Sequence, residues 1–161
     1  MSQQKAPHPD SELVIVRAVC ISTKKGEQKR PVDSVTLRED YGIEGDAHAG
    51  SGRQVSLLAM ESMERMQEKV PGIGPGAFAE NLNVEGLASL GLAIGSRIRV
   101  GDAVALEITQ IGKKCHDSGC AIMRAAGTCV MPKEGLFAKV LRGGVVRPGD
   151  ELRLFTPGEE L

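Results

Sequence analysis

Aromatic side chains are nearly missing from this chain of 161 residues: they make up 2% of it, with no Trp and one Tyr. Proteins that hold nucleic-acid single strands stack the bases on aromatic platforms, and such platforms are excluded here. An excess of positive charge is missing too. Twenty Lys and Arg face 21 Asp and Glu, for a formal net charge of -1, so the electrostatic footprint of a nucleic-acid or anionic-lipid binder is absent. No apolar run reaches the ~20 residues that span a bilayer, and no membrane partner is expected. Met1 to Asp10 is polar, without the apolar centre of a secretion signal; the expected location is the cytoplasm. The four cysteines, at 20, 115, 120 and 129, do not make a secreted disulfide framework. In a reducing compartment they are buried thiols, reactive thiols or metal ligands.

Glycine is plentiful, with 20 residues spread along the chain, which argues for many tight turns between short strands. One domain is expected over residues 12–155, with loose tails at 1–11 and 156–161; a chain this long buries roughly 68–70% of its unfolded surface and needs no staple. Leu13 to Ile21 is a β-branched run that predicts a central strand, with Cys20 on the face of Val14, Val16 and Ala18 as a core residue. Val32 to Leu37, Arg53 to Leu58 and Leu82 to Glu85 predict further strands. Ala59 to Val70 predicts a helix, with Met60, Met63, Met66 and Val70 as its apolar stripe, Glu61 and Arg65 pairing at i,i+4, and Pro71 as its stop. Ser96 to Ile108 and Val145 to Leu154 each read as strand, Gly-Asp turn, strand. Short helices are expected near 118–126 and 134–142, with Gly127 and Gly143 after them. Many short strands and few helices predict a mainly β fold, a closed or partly closed barrel.

The chemistry concentrates in Lys113-Lys114-Cys115-His116-Asp117-Ser118-Gly119-Cys120. Two lysines, a histidine and a helix start at Ser118 would favour thiolate at Cys115, and the thiolate is the form that attacks, carries sulfur or binds a soft metal. A partly buried structural thiol is the plainer alternative. Cys115, His116, Cys120 and Cys129 have the residue types of a zinc site, but their spacing matches no common finger or ribbon; a Cys115–Cys120 disulfide is a further option. The glycine-rich loop Gly42 to Gly52 could turn its amides toward one anion, with Asp46, His48 and Arg53 adding polar groups. The other reading is a wide surface turn. Gly72-Ile73-Gly74-Pro75-Gly76 lacks the Gly-Lys-Ser/Thr of a phosphate loop and reads as a turn.

Taken together, Gly42-Ile43-Glu44-Gly45-Asp46-Ala47-His48-Ala49-Gly50, Gln54-Val55-Ser56-Leu57, Phe78-Ala79-Glu80-Asn81-Leu82-Asn83-Val84-Glu85-Gly86, Cys115 and Gly144-Val145-Val146-Arg147-Pro148-Gly149-Asp150 resemble the MOSC domain. That family is related to the C-terminal part of molybdenum cofactor sulfurases. The resemblance implies a β-barrel-like fold and a role in molybdenum or tungsten cofactor metabolism, as sulfur carrier through a cysteine persulfide or as holder of the molybdopterin cofactor. It implies that Cys115 carries the sulfur in a sulfurtransferase-type role, with Lys113, Lys114 and His116 stabilising it. Gly45, Asp46, His48 and Arg53 would hold the cofactor's phosphate or pterin, with Glu80 and Asn81 at the rim. Sulfur would come from a separate cysteine desulfurase with its own pyridoxal phosphate, and the acceptor would be a molybdoenzyme or a cofactor-biosynthesis protein. Some members reduce N-hydroxylated compounds. Lys113-Lys114 stand where many members have Pro or Arg.

Overall fold

The computed structural model describes residues 13–112 and 134–161. Eleven strands, one α-helix and one 3-10 helix lie within them. The strands are β1 (Val14–Ile21), β2 (Arg30–Val32), β3 (Val35–Arg38), β4 (Gly42–Ile43), β5 (Val55–Ala59), β6 (Leu82–Glu85), β7 (Arg97–Val100), β8 (Val104–Ile111), β9 (Leu136–Arg142), β10 (Gly144–Val146) and β11 (Glu151–Leu154). Helix α1 is Met60–Gln67, and the 3-10 turn is Leu87–Leu90.

Seven strands in the order β11-β7-β8-β9-β5-β6-β1 close into a barrel, because β1 returns to β11 through Val14 with Leu152 and Ile15 with Glu151. All pairs are antiparallel except β5 and β6, whose parallel register needs the crossover that α1 and the following loop supply. Strand β2 adds to the far half of β1, and β10-β3-β4 make a second, three-stranded sheet. Alternate residues of the barrel strands point inward and meet as one aliphatic cluster; Val55, Leu57, Val84, Leu106, Ile108 and Ala138 are all fully buried in it. A barrel this narrow is filled by such side chains. A second cluster on the barrel's outer surface joins Leu58, Phe78 and Phe137 to Met63 and Met66 of α1. This is the expected methionine stripe, and it docks the helix on the barrel wall.

Three local expectations give way. Residues 136–142 form strand β9, not a helix, because Ala138 and Val140 alternate into the aliphatic interior while the backbone bonds to β5 and β8; sheet pairing overrides helix propensity. The closing Val145 to Leu154 stretch is strand, turn, strand as expected, with its two strands paired elsewhere: β10 with β3, and β11 with β1 and β7. Glu61 and Arg65 do not pair. Glu61 accepts the Gly86 N–H at 3.0 Å, and Arg65 turns to Glu134. Residues 156–161 are tied down: Arg153 grips Glu159 at 3.0 and 2.9 Å, Arg99 donates to the same carboxylate, and Arg142 reaches the Leu161 carbonyl at 2.9 Å.

Gly143 shows what the packing requires. A Cβ there would lie 2.4 Å from the Leu37 carbonyl oxygen, a backbone atom that cannot step aside. Gly143→Ala should cost about 2 kcal/mol or more, whereas Gly52→Ala, with nothing within 4 Å of its Cβ, should change stability by less than ~0.5 kcal/mol. Urea unfolding of the two variants checks this, and equal midpoints would refute it.

Candidate functional site

The barrel's outer wall carries a buried polar layer, and a bulge in β1 creates part of it. The β1–β6 register shifts between Val16 and Ala18. Val14 and Val16 face the interior, then Val19 does so one residue out of phase, as a bulge dictates. Cys20 therefore leaves the face of Val14 and Val16, where simple alternation places it, and turns to the outer wall. It stays fully buried, with Sγ 3.9 Å from Asn83 Oδ1. Burial, helped by the Glu80 charge and opposed by Lys29, pushes its thiol up to about 12. It is an inert thiol at neutral pH.

Glu80 and Asn81 are 0% and 1% exposed, beneath the surface and not at a rim. Asn81 Oδ1 accepts from Ser56 N at 2.9 Å and from Ser56 Oγ at 3.2 Å, while Nδ2 donates to the Cys20 carbonyl at 3.0 Å. One amide thus joins β1, β5 and β6. Glu80 accepts the N–H groups of Gly76 and Phe78, both at 2.9 Å, and Asn83 Nδ2 at 2.6 Å. Burial raises its carboxyl above the usual range, against the pull of those three donors. The loop 72–79 is folded over this carboxylate. Gly76 is required there: a Cβ would meet the Lys29 carbonyl oxygen at 2.1 Å.

Beside that loop lies a charged core. Lys29 Nζ is 2.8 Å from Asp46 Oδ1, with both side chains fully buried. The same ammonium donates to Ser22 Oγ at 3.1 Å and stands 3.5 Å from His48 Nδ1. Asp46 also accepts Ser22 N and His48 N, each at 3.1 Å. Burial alone would raise the Asp46 carboxyl; Lys29 and the two amides outweigh it and hold it below the usual carboxylate range. Most amides of the 42–52 loop are spent inside the protein. Asp46 N goes to Ile43 O, Ala47 N to Ser22 O, Ala49 N to Asp46 O, Gly50 N to Tyr41 O and Ser51 N to His48 O. The loop is a braced turn and not an anion nest. Gly45, exposed at φ 82°, makes its bend.

Arg53 is exposed, with its guanidinium 5.4 Å from the Phe137 ring centre and Nε 3.3 Å from Gln110 Oε1. Gln110 in turn donates to the Gly112 carbonyl at 2.8 Å, and Gly112 N to Gly135 O at 2.6 Å. Glu134 takes hydrogen bonds from Ser62 and Arg65 of α1. The two described flanks of segment 113–133 therefore meet beside Arg53. Lys113, Lys114, Cys115, His116, Cys120 and Cys129, with the expected helix at 118–126, lie outside the described residues. Among the described residues, no group of three His, Cys, Asp or Glu side chains is placed to hold a metal ion. Sequence reasoning missed Lys29, Ser22 and Asn83. Lys29 stands in the polar run Lys24 to Arg30, which reads as solvated, and only Asp46 from a distant loop makes its burial tolerable.

Removing one partner of a buried ion pair strands the other. Asp46→Asn should cost about 3–5 kcal/mol. Because the folded carboxyl titrates below its unfolded value of ~3.9, its stabilisation is complete above that pH and lost as the pH falls through the folded value. Acid unfolding of the variant should accordingly lose part of this slope. A wild-type-like profile would show that the pair contributes nothing.

The fold recurs in known proteins. The family model described as MOSC domain matches residues 44–153. The uncharacterized protein YflK of Bacillus subtilis is 28% identical over 149 residues, covering 84% of this chain and 65% of YflK, so the chain spans less than two thirds of that relative. The crystal structure of the YUAD protein from Bacillus subtilis superposes with a TM-score of 0.70 at 23% identity, over 88% of this chain and 94% of that one. YiiM from Geobacillus stearothermophilus gives a TM-score of 0.65 at 20% identity, over 90% and 76%. At these identities the solved structures establish a shared fold.

Proposed function

The chain belongs to the MOSC domain family, which is associated with molybdenum cofactor sulfurase-type proteins, and from that premise we propose that it carries sulfane sulfur on Cys115 for delivery to a molybdenum or tungsten centre. The observation that carries this reading is the meeting of the 113–133 flanks with Arg53. Three peptide steps join Gly112 to Cys115, so covalent reach keeps the two Cα atoms within roughly 11 Å. Gly112 is linked through Gln110 to Arg53. Arg53 is an exposed cation that lies against Phe137 and donates through Nε to Gln110, and a guanidinium suits a phosphate or another anionic group.

The residues fit an anionic pterin cofactor in part. Arg53 would hold its phosphate, and His48, half-buried next to the charged core, would contribute a polar contact. Gly45 bends the loop that presents His48. Asp46, Glu80 and Asn81 support this surface from beneath. When bound, the cofactor supplies the metal that accepts sulfur. The chain's own step is simpler. The Cys115 thiolate attacks the terminal sulfur of a donor persulfide, the donor's S–S bond breaks, and the donor leaves as a thiolate. Cys115 then holds the transferred sulfur as a persulfide anion, which Lys113, Lys114 and His116 stabilise by charge. A separate cysteine desulfurase fits as donor, and a molybdoenzyme or a cofactor-biosynthesis protein as acceptor. No helix among the described residues is long and apolar enough to cross a membrane.

Incubation with a cysteine desulfurase and cysteine, followed by intact mass measurement, should add one sulfur atom to the wild type and none to Cys115→Ala. Equal gain by both would end the assignment. Failure of both to gain sulfur, with molybdopterin still bound, would leave the chain as a cofactor holder.

A further inference from the structure

The outer face of β11, β7, β8 and β9 carries two rows of residues that stand opposite one another across neighbouring strands. In one row Arg97 faces Glu107, and Glu107 faces Lys139. The signs alternate, and ion pairs of 3.3 and 3.9 Å form within the sheet itself. In the other row Arg153 faces Arg99, Arg99 faces Ala105, and Ala105 faces Arg142. Leu152, Ile98, Val100 and Val140 of these strands belong to the aliphatic interior, and the arginines lie on the opposite side. All the charge in this second row is positive. Like charges directly opposite on one face of a sheet are destabilising, and an acidic group laid over the row relieves them. Residues 159–161 supply it. Glu159 takes Arg153 in a two-pronged grip at 3.0 and 2.9 Å and accepts from Arg99 as well. Arg99 then donates to the Glu160 carbonyl at 2.7 Å, and Arg142 to the Leu161 carbonyl at 2.9 Å. Phe155 lies against Arg99, with the guanidinium 4.7 Å from the ring centre. The row thus reads one carboxylate and two successive backbone carbonyls.

We propose that the row of Arg153, Arg99 and Arg142 is a docking track for an acidic peptide segment of a partner protein, and that residues 159–161 fill it as an internal plug. The track is separate from the sulfur chemistry proposed above and does not rest on it. Charge and shape name the occupant. The fork of a guanidinium matches a planar carboxylate, and the two carbonyl contacts call for a polypeptide backbone, which a free phosphate or a nucleic acid does not offer. The plug is exchangeable. Arg153 and Arg142 are exposed, and exposed ion pairs hold weakly. What keeps the plug in place is its short tether to β11, which gives it an effective concentration in the millimolar range. A partner segment displaces it by making more contacts than three residues can.

Fluorescence anisotropy of a labelled peptide with the sequence of residues 156–161, Thr-Pro-Gly-Glu-Glu-Leu, tests this on the full chain. Glu159→Gln removes the carboxylate of the plug, and this variant should bind the peptide several-fold more tightly than the wild type. Adding Arg99→Gln or Arg153→Gln to it should abolish that binding, and adding Arg142→Gln should weaken it. Arg153 is exposed, so its substitution covers the case in which Arg99→Gln does not fold. Arg97→Gln, in the compensated row, should leave binding as it is, and a peptide with Gln in place of both Glu should not bind. No binding by Glu159→Gln, or binding that survives the loss of Arg99 and Arg153, overturns the proposal. Sedentation of the unlabelled proteins separates the partner from a second copy of this chain: monomers throughout support the proposal, whereas a wild-type dimer that Glu159→Gln abolishes gives the row to the tail of another copy and overturns it. None of these readouts involves Cys115, so the track and the sulfur transfer can fail separately.

Discussion

Strand β1 is the constraint on which the structure depends. Its first residues pair with β11 and close the barrel, its last residues pair with β2, and its other edge runs along β6. Eight residues thus hold three neighbours. They do so only because the bulge between Val16 and Ala18 lets the two halves of the strand face differently. The first half and Val19 seal the aliphatic interior. Cys20 turns outward, and Ser22 just beyond it helps to bind Asp46. Without that change of phase the polar layer would lose its inner wall.

That layer is expensive. Glu80, Asn81, Asn83, Lys29 and Asp46 are all buried, and each loses its hydration. What offsets the loss is near-complete hydrogen bonding, since a half-satisfied network in a low-dielectric site destabilises more than an apolar one. The arrangement holds two long loops in a fixed relation to the barrel. Glu80 gathers the amides of the 72–79 loop, Asp46 gathers those of the 42–52 loop, and the Lys29 N–H to Gly76 O bond at 2.8 Å ties the two together. Arg53 follows directly from the second loop, so the position of an exposed cation is set by charges that never reach solvent.

Much of this was legible in the sequence. A β-branched run gave β1, the resumption of apolar residues after Arg53 gave β5, the alternation of Leu82 and Val84 with polar residues gave β6, the methionine spacing gave α1, and the order of short glycine and asparagine segments gave the MOSC domain. The misreadings share one cause. Local pattern carries no information about partners distant in the chain. Leu136 to Arg142 has a helix-like composition until β5 and β8 claim it. The 42–52 loop looks rich in open amides until Ser22 and Tyr41 take them. Lys29 resembles its solvated neighbours until Asp46, 17 positions later, arrives at its side. A bulge is a single-residue event, and nothing in Val14 to Ile21 marks where it falls.

Strand β2 has one further consequence. In the closed sheet it is the strand joined to a single neighbour, so one of its sides meets no other strand among the described residues. It is three residues long, and its centre is Pro31, which has no N–H to offer a newcomer. Among the described residues this border of the barrel is thereby blunted. In a crowded solution it offers little template along which molecules could zip into fibrils.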